Sequence, residues 1–211
     1  SLVFITHTHA DHVRICGDYS IESNNIRYLV HQDSLPFLKK FIVTSAQMNK
    51  NKYISDKYFN LIGLNKNDQI NLKLNNNNYI IKTFDCNHNI PTLAYGFIEK
   101  RKKIKPEYMN LSKDEIIDLK KRNIDIIDEI EYPQFIFVGD TTIKFFEINF
   151  NILNQGYKSI IIECTYLYDD DYVKINQLDS KNKLKYMHIH WLDLKKYTID
   201  NPQINFILIH F

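Results

Sequence analysis

Cysteine is scarce. There are three in 211 residues, Cys16, Cys86 and Cys164, scattered singly and odd in number. That excludes a disulfide framework and points to a reducing compartment, and no Cys pair has zinc-finger spacing. The chain also lacks any apolar run long enough to cross a bilayer, and any signal-peptide pattern. A soluble, intracellular protein without a membrane partner is therefore expected, with cytoplasm, nucleus or organelle left open. Nor is there an excess of charge of one sign. Twenty-seven bases against twenty-five acids leave a formal charge of +2. This is too mild to announce a nucleic-acid binder, so any basic surface must be local.

What is there is an ordinary globular composition, 44% hydrophobic, enough for one substantial domain over residues 1–211. The chain opens inside the apolar run Leu2-Val3-Phe4-Ile5 and closes on Phe211 just after another, which reads as a domain lacking its N-terminal strands and its C-terminal tail. Short apolar, β-branched and aromatic runs predict strands at Leu2 to Ile5, Arg27 to Val30, Gln69 to Leu74, Tyr79 to Phe84, Thr92 to Ile98, Gln134 to Val138, Ser159 to Ile162 and Asn205 to Ile209. A helix is predicted from Ser112 to about Arg122, where Ser112 and Glu115 have capping-box spacing, with weaker signals at Ser34 to Val43 and Leu192 to Tyr197. Asn75-Asn76-Asn77-Asn78 reads as a turn between two strands. Strands alternating with helices, with no linker or repeat, give a layered α/β domain.

Polar groups fall at informative places along those strands. Ile5 leads to His7, Phe84 to His88, Val138 to Asp140, Ile162 to Glu163 and Ile209 to His210. Buried strands that all end in metal-competent or acid-base groups converge them at one edge of a core. The densest piece is His7-Thr8-His9-Ala10-Asp11-His12, three imidazoles and a carboxylate in six residues. Two histidines one residue apart on an extended segment point the same way and can grip one ion, while Asp11 and His12, past a turn, can reach a second.

That run resembles the signature of the metallo-β-lactamase superfamily, and the family's other ligands follow in order. His88 in Cys86-Asn87-His88 is similar to its isolated third-motif histidine, Asp140 in Gly139-Asp140-Thr141 to its bridging aspartate, and His210 in Leu208-Ile209-His210-Phe211 to its last metal histidine. The resemblance implies a four-layer αββα sandwich holding two zinc ions, with manganese or iron as possible substitutes. His7, His9 and His88 would hold one ion, Asp11, His12 and His210 the other, and Asp140 would bridge both. Within the superfamily the chain is most similar to the tRNase Z branch of phosphodiesterases. Pro91-Thr92-Leu93-Ala94-Tyr95-Gly96, Glu163-Cys164-Thr165-Tyr166 and His188-Ile189-His190 resemble that branch's elements. The chain departs from it at Met187, where the family has Gly, at Arg14-Ile15-Cys16, and between Ile98 and Phe135, where the Gly-Pro-containing arm of many such enzymes is missing.

The implied activity is metal-dependent hydrolysis, with Asp11, Glu163 and His188 as catalytic residues. Two metal ions sharing a water would supply the nucleophile, and His188, oriented by Glu163, would protonate the leaving oxygen. His190 competes with His188 for that role or simply packs beside Trp191, and Glu163 is either its partner or a surface acid. His31 is read as a loop or capping residue, and the cysteines as small core residues. Lys100-Arg101-Lys102-Lys103-Ile104-Lys105 is either a solvated loop or a phosphate-backbone contact, with Tyr95, Phe97 and Tyr108 nearby to stack bases. The leading expectation is an endoribonuclease acting on RNA, at the 3′ side of tRNA precursors, in a possible homodimer. A thioesterase or lactonase on the same site, or a non-catalytic family member, are the alternatives.

Overall fold

Side chains of a strand alternate between its two faces, and that alternation sorts the core into layers. The computed structural model describes residues 1–14, 16, 26–50 (Lys50 by its backbone alone), 60–168, 170–171 and 187–211. β1 (Leu2–Phe4), β2 (Arg27–His31) and β3 (Asn60–Leu64) form a parallel sheet in that order. β4 (Gln69–Leu74), β5 (Asn77–Asp85), β6 (Leu93–Ile104), β7 (Ile127–Phe137), β8 (Ser159–Glu163) and β9 (Asn205–Ile209) form a second sheet, in chain order. β4 to β7 pair antiparallel, and β7, β8 and β9 run parallel. The helices are α1 (Ala10–Val13), α2 (Leu35–Lys50), α3 (Lys113–Lys121), α4 (Phe145–Ile148) and α5 (Trp191–Asp200) among the described residues.

Apolar clusters fill the spaces between four layers. Tyr28 and Val30 of β2 pack with Val13 of α1 and with Leu38 and Ile42 of α2 on the outer face of the first sheet. Leu29, on the opposite face, joins Leu64, Ile81, Leu93 and Tyr95 between the two sheets. Ile80 and Phe84 of β5, and Ala94 and Ile98 of β6, turn the other way and meet Phe145 and Phe146 of α4 and Leu194 of α5. The order is helix, sheet, sheet, helix, the αββα sandwich expected from the sequence. Ile81 and Leu93 are fully buried, and burying each contributes roughly 1.5–3 kcal/mol. Tyr95 ties the sheets together: its hydroxyl reaches the carbonyl of Ile5 at 2.7 Å and that of Leu29 at 3.3 Å.

The sequence bounds hold at Gln69–Leu74 and Asn205–Ile209. The capping box forms, with Ser112 N donating to Glu115 Oε2 at 2.8 Å and Glu115 N to Ser112 Oγ at 3.4 Å. The asparagine run makes the β4–β5 turn: Leu74 pairs with Asn77, and Asn75 and Asn76 between them have φ of 46° and 72°. Two left-handed residues match the twist of a tight hairpin, and Asn tolerates them. β3 carried no recognisable sequence signal, because Gly63 interrupts a short run and weakens a strand pattern.

The larger difference is at the basic run, read as either a solvated loop or a phosphate-backbone contact, which is strand as far as Ile104. β6 continues to Ile104 and pairs with β7 as far as Ile127, so a two-stranded arm projects beyond the sheet. β6 stays paired with β5 as far as Lys100, so the two-stranded part begins at Arg101, and a register shift at Phe97/Ile98, opposite Pro133, lies within the sheet, as expected of a proline in a strand. Pro106–Tyr108 and α3 cap the tip. The segment between Ile98 and Phe135, which has no Gly-Pro sequence, is thus a β-hairpin with a helical tip.

Gly96 faces the helical side of the second sheet, where a Cβ would meet the hydroxyl of Tyr157 and, at 2.8 Å, the Phe84 ring. Tyr157 is buried and cannot swing clear. Replacing Gly96 by Ala is expected to destabilise the fold by about 1–3 kcal/mol, read as a lowered melting temperature with unchanged far-ultraviolet circular dichroism.

Candidate metal centre

Five strand ends deliver the polar groups to one edge of the sandwich. β1 leads into His7, β5 into His88, β7 into Asp140 and β9 into His210, while β8 ends on Glu163 itself. His9 caps α1, and the backbone N–H groups of His12 and Val13 return to its carbonyl at 3.0 and 3.2 Å. That turn brings His12 back over His7, ring centroids 4.0 Å apart, while the Asp11 carboxylate faces His12 and His210. The two sheets are joined here by backbone as well, Leu93 N donating to Thr6 O at 2.9 Å.

All nine residues singled out in the sequence, namely His7, His9, Asp11, His12, His88, Asp140, Glu163, His188 and His210, meet at this edge. Ligand atoms of His7, His9, His88 and Asp140 lie within 4.8 Å of one another, as do those of Asp11, His12 and His210, and those of Asp140, His188 and His210. One atom belongs to the whole assembly. Asp140 Oδ2 lies 3.7 Å from His7 Nε2, 3.5 Å from His12 Nε2, 3.6 Å from His210 Nε2 and 3.8 Å from His188 Nδ1. Asp11 Oδ2 adds contacts of 3.4 Å to His12 and 4.0 Å to His210. His7 is completely buried and Asp140 nearly so, whereas the Asp11 carboxylate is 70% exposed. The cluster thus runs from a dry floor to an open mouth.

The proton positions follow from the fixed partners. His88 Nδ1 sits 3.0 Å from the Met187 carbonyl, which can only accept, so Nδ1 carries the hydrogen and Nε2 is bare. That bare Nε2 points at His9 Nδ1, 3.3 Å away, and His9 Nδ1 in turn lies 3.1 Å from His7 Nε2. A tetrahedral ion with bonds of about 2.0–2.1 Å spaces its ligand atoms roughly 3.3 Å apart, so the donor set fits a metal such as zinc. Because the Met187 contact is made by backbone, the departure from Gly at that position leaves it intact. Burial and then the neighbouring His12 push His7 down to about 3, leaving a neutral, ligand-ready ring. Contact with the Asp140 carboxylate raises His12 above its ordinary value despite partial burial. Burial alone would raise Asp140, but its contact with His12 and the charge of His210 and His7 outweigh that and bring it to about 2.

Glu163 is buried rather than a surface acid. Oε1 accepts from Thr141 N at 2.9 Å and His188 Nδ1 at 2.8 Å, and Oε2 from Thr165 Oγ1 at 2.7 Å and from Thr165 N and Ile189 N at 3.3 Å. Burial lowers the pKa of His188, but the hydrogen bond and charge of Glu163 more than compensate, so it stands above its ordinary value. His190 is differently engaged. It is buried, its Nδ1 accepts from Leu192 N at 3.1 Å as the cap of α5, and its Nε2 donates to Tyr168 O at 2.8 Å. His31 likewise caps, accepting from Asp33 N at 3.1 Å. Sequence reasoning passed over Thr165, Thr6 (Oγ1 3.1 Å from His7 Nδ1) and the Thr142–Asn87 pair at 2.7 Å. The one available signal was position: Thr165 lies two residues beyond Glu163 and shares its face.

No family model matches the chain. It is 27% identical over 210 residues to tRNase Z TRZ1 of Arabidopsis thaliana, covering 99% of this chain and 71% of the relative. It is also 27% identical over 172 residues to the chloroplastic tRNase Z TRZ2 of the same plant, covering 78% of this chain and 46% of the relative. Among solved structures, the metallo-beta-lactamase fold protein YhfI from Bacillus subtilis superposes with a TM-score of 0.54 over the whole chain at 12% identity. The chain has the metallo-β-lactamase fold, and its sequence is similar to the tRNase Z proteins. Unliganded yeast PDE1 also superposes with a TM-score of 0.54, at 16% identity. The chain spans 64% of the YhfI chain and 56% of the PDE1 chain. The likeness supports a metal-dependent hydrolase, and the His/Asp cluster could supply its ligands.

The two histidines of His188-Ile189-His190 should separate in experiment. Replacing His190 by Ala removes the α5 cap, at a cost of about 0.5–2 kcal/mol, and is expected to lower the melting temperature while bound metal per folded chain stays unchanged.

Proposed function

We propose that this protein is a two-zinc phosphodiesterase of tRNase Z type, an endoribonuclease acting at the 3′ side of tRNA precursors. The observation that carries the reading is Asp140 Oδ2, one carboxylate oxygen facing ring nitrogens from both halves of the cluster. In this reading His7, His9 and His88 hold one ion, Asp11, His12 and His210 the other, and Asp140 is shared, with manganese or iron able to replace zinc. When bound, the ions would make a hydroxide nucleophile available at neutral pH and offset the charge of the phosphodiester.

The chain's own contribution is the proton for the departing 3′ oxygen. His188 Nδ1 is held on Glu163 at 2.8 Å, which leaves Nε2 as the atom that delivers it. The carboxylate favours imidazolium, so the acid form persists to higher pH than in a free imidazole. Asp11, the most exposed of the carboxylates at the centre, lies at the mouth, where it would help hold the second ion and face the substrate. His190 is left out of the chemistry because its two nitrogens serve the α5 cap and the Tyr168 carbonyl.

The arm supports an RNA substrate. Arg101 and Lys103 lie over the Tyr132 ring at 5.0 and 5.2 Å, a surface of cations and an aromatic face. Its charge is partly spent, since Lys100 pairs with Glu129 at 2.7 Å and Lys105 with Asp125 at 3.5 Å. A homodimer belongs to the same reading. No helix of the described residues is long and apolar enough to cross a membrane.

Metal analysis coupled to a substrate comparison tests the proposal. About two transition-metal ions per chain are expected, with cleavage of a precursor tRNA and of bis-p-nitrophenyl phosphate abolished by a chelator and restored by zinc or manganese. Fewer than one tightly bound ion per chain, or thioester turnover without phosphodiester cleavage, overturns it. A second measurement addresses the acid. Replacing His188 by Ala should lower kcat by about 10²–10⁴-fold with metal content unchanged, and undiminished turnover would remove His188 from the role.

A further inference from the structure

Thr165 stands between two groups that the proposed chemistry treats separately. Its hydroxyl lies 2.7 Å from Glu163 Oε2 and 3.0 Å from His210 Nδ1. A hydroxyl has one hydrogen, and a carboxylate oxygen can only accept, so the short contact to Glu163 takes that hydrogen. Toward His210 the same oxygen can then only accept. His210 Nδ1 must carry its ring hydrogen, and Nε2, 3.6 Å from Asp140 Oδ2 and 4.0 Å from Asp11 Oδ2, is left as a bare lone pair aimed into the cluster.

We propose that Thr165 is a positioning residue that fixes the tautomer and orientation of His210, so that the single carboxylate of Glu163 sets both the acid His188 and the second metal site. The inference rests on the two-metal reading given above. Its two branches are Glu163 Oε1 to His188 Nδ1, and Glu163 Oε2 through the Thr165 hydroxyl to His210 Nδ1. The need for such a brace is local. His210 has a φ of 64°, a left-handed backbone rarely adopted by residues with side chains, and its side chain is partly exposed. Among the described residues, Thr165 is the hydrogen-bond partner of the ring's Nδ1. Partners of this kind raise metal affinity about 10–100-fold elsewhere.

The test compares Thr165→Val, which keeps the shape and removes the hydroxyl, with Thr165→Ser, which keeps the hydroxyl. In metal-free protein at mildly alkaline pH, long-range ¹H–¹⁵N spectra of the imidazoles should show wild-type His210 with its hydrogen on Nδ1, Thr165→Ser unchanged, and Thr165→Val shifted to a mixture of tautomers. Zinc titration should show one of the two bound ions weakened about 10–100-fold in Thr165→Val and restored in Thr165→Ser. If the valine variant melts early, Thr165→Ala removes the hydroxyl without the added methyl and is read in the same way. A His210 that keeps one tautomer in Thr165→Val, or zinc binding equal to wild type, overturns the inference. Failure of the wild type to bind zinc would sink the two-metal reading instead, and the imidazole spectra of the metal-free protein would still decide the role of Thr165.

Discussion

Everything at the edge of this sandwich answers to one electrostatic constraint: lone pairs of several imidazoles and two carboxylates face one another across 3–4 Å. Such groups repel unless positive charge sits among them. In the metal-free chain a proton does part of that work, which is why His12 rises and Asp140 falls as they share it. A cation does it better, since metal binding displaces protons from the ligands it takes. The residues are held against that repulsion by partners on the far side of each ring. Met187 O holds His88, Glu163 holds His188, and Thr165 meets His210. Geometry imposed from behind keeps the centre assembled.

The sheets supply the rest of that geometry. His7, His9, Asp11 and His12 come from the chain leaving the three-stranded sheet, whereas His88, Asp140, Glu163 and His210 come from strands of the other. The spacing between the two halves of the cluster is therefore set by how the sheets pack. Leu29, Ile81 and Leu93 fill the space between them, and Tyr95 and the Leu93–Thr6 hydrogen bond lock it close to the ligands. Gly139 shows how little slack remains, since a Cβ there would approach Thr6 Cβ to 2.7 Å.

How much of this was legible in the sequence differed by the kind of interaction. The ligand-bearing strand ends were readable because a buried strand that stops on His or Asp breaks the apolar pattern abruptly. The four layers followed from the resemblance, and the alternation along β2, β5 and β6 accounts for them physically. β3 was invisible, because a five-residue run containing Gly63 carries little periodicity. The hairpin was left open for a different reason. Lys100 to Lys105 has the composition of a loop, but cross-strand partners such as Glu129 and Tyr132 make those charges compatible with a strand, and such partners lie some thirty residues away. Choosing between His188 and His190 was likewise beyond the sequence. Their spacing is symmetrical, and only the helix starting at Trp191 distinguishes them.

The arm has a mechanical side. Its two strands are the same β6 and β7 that begin just beyond His88 and end just before Asp140. β7 is paired with β6 from Ile127 to Phe137, with a register shift opposite Pro133, and it ends three residues before Asp140. The arm and the shared carboxylate therefore sit on one continuous strand, and whatever fixes the strand fixes both.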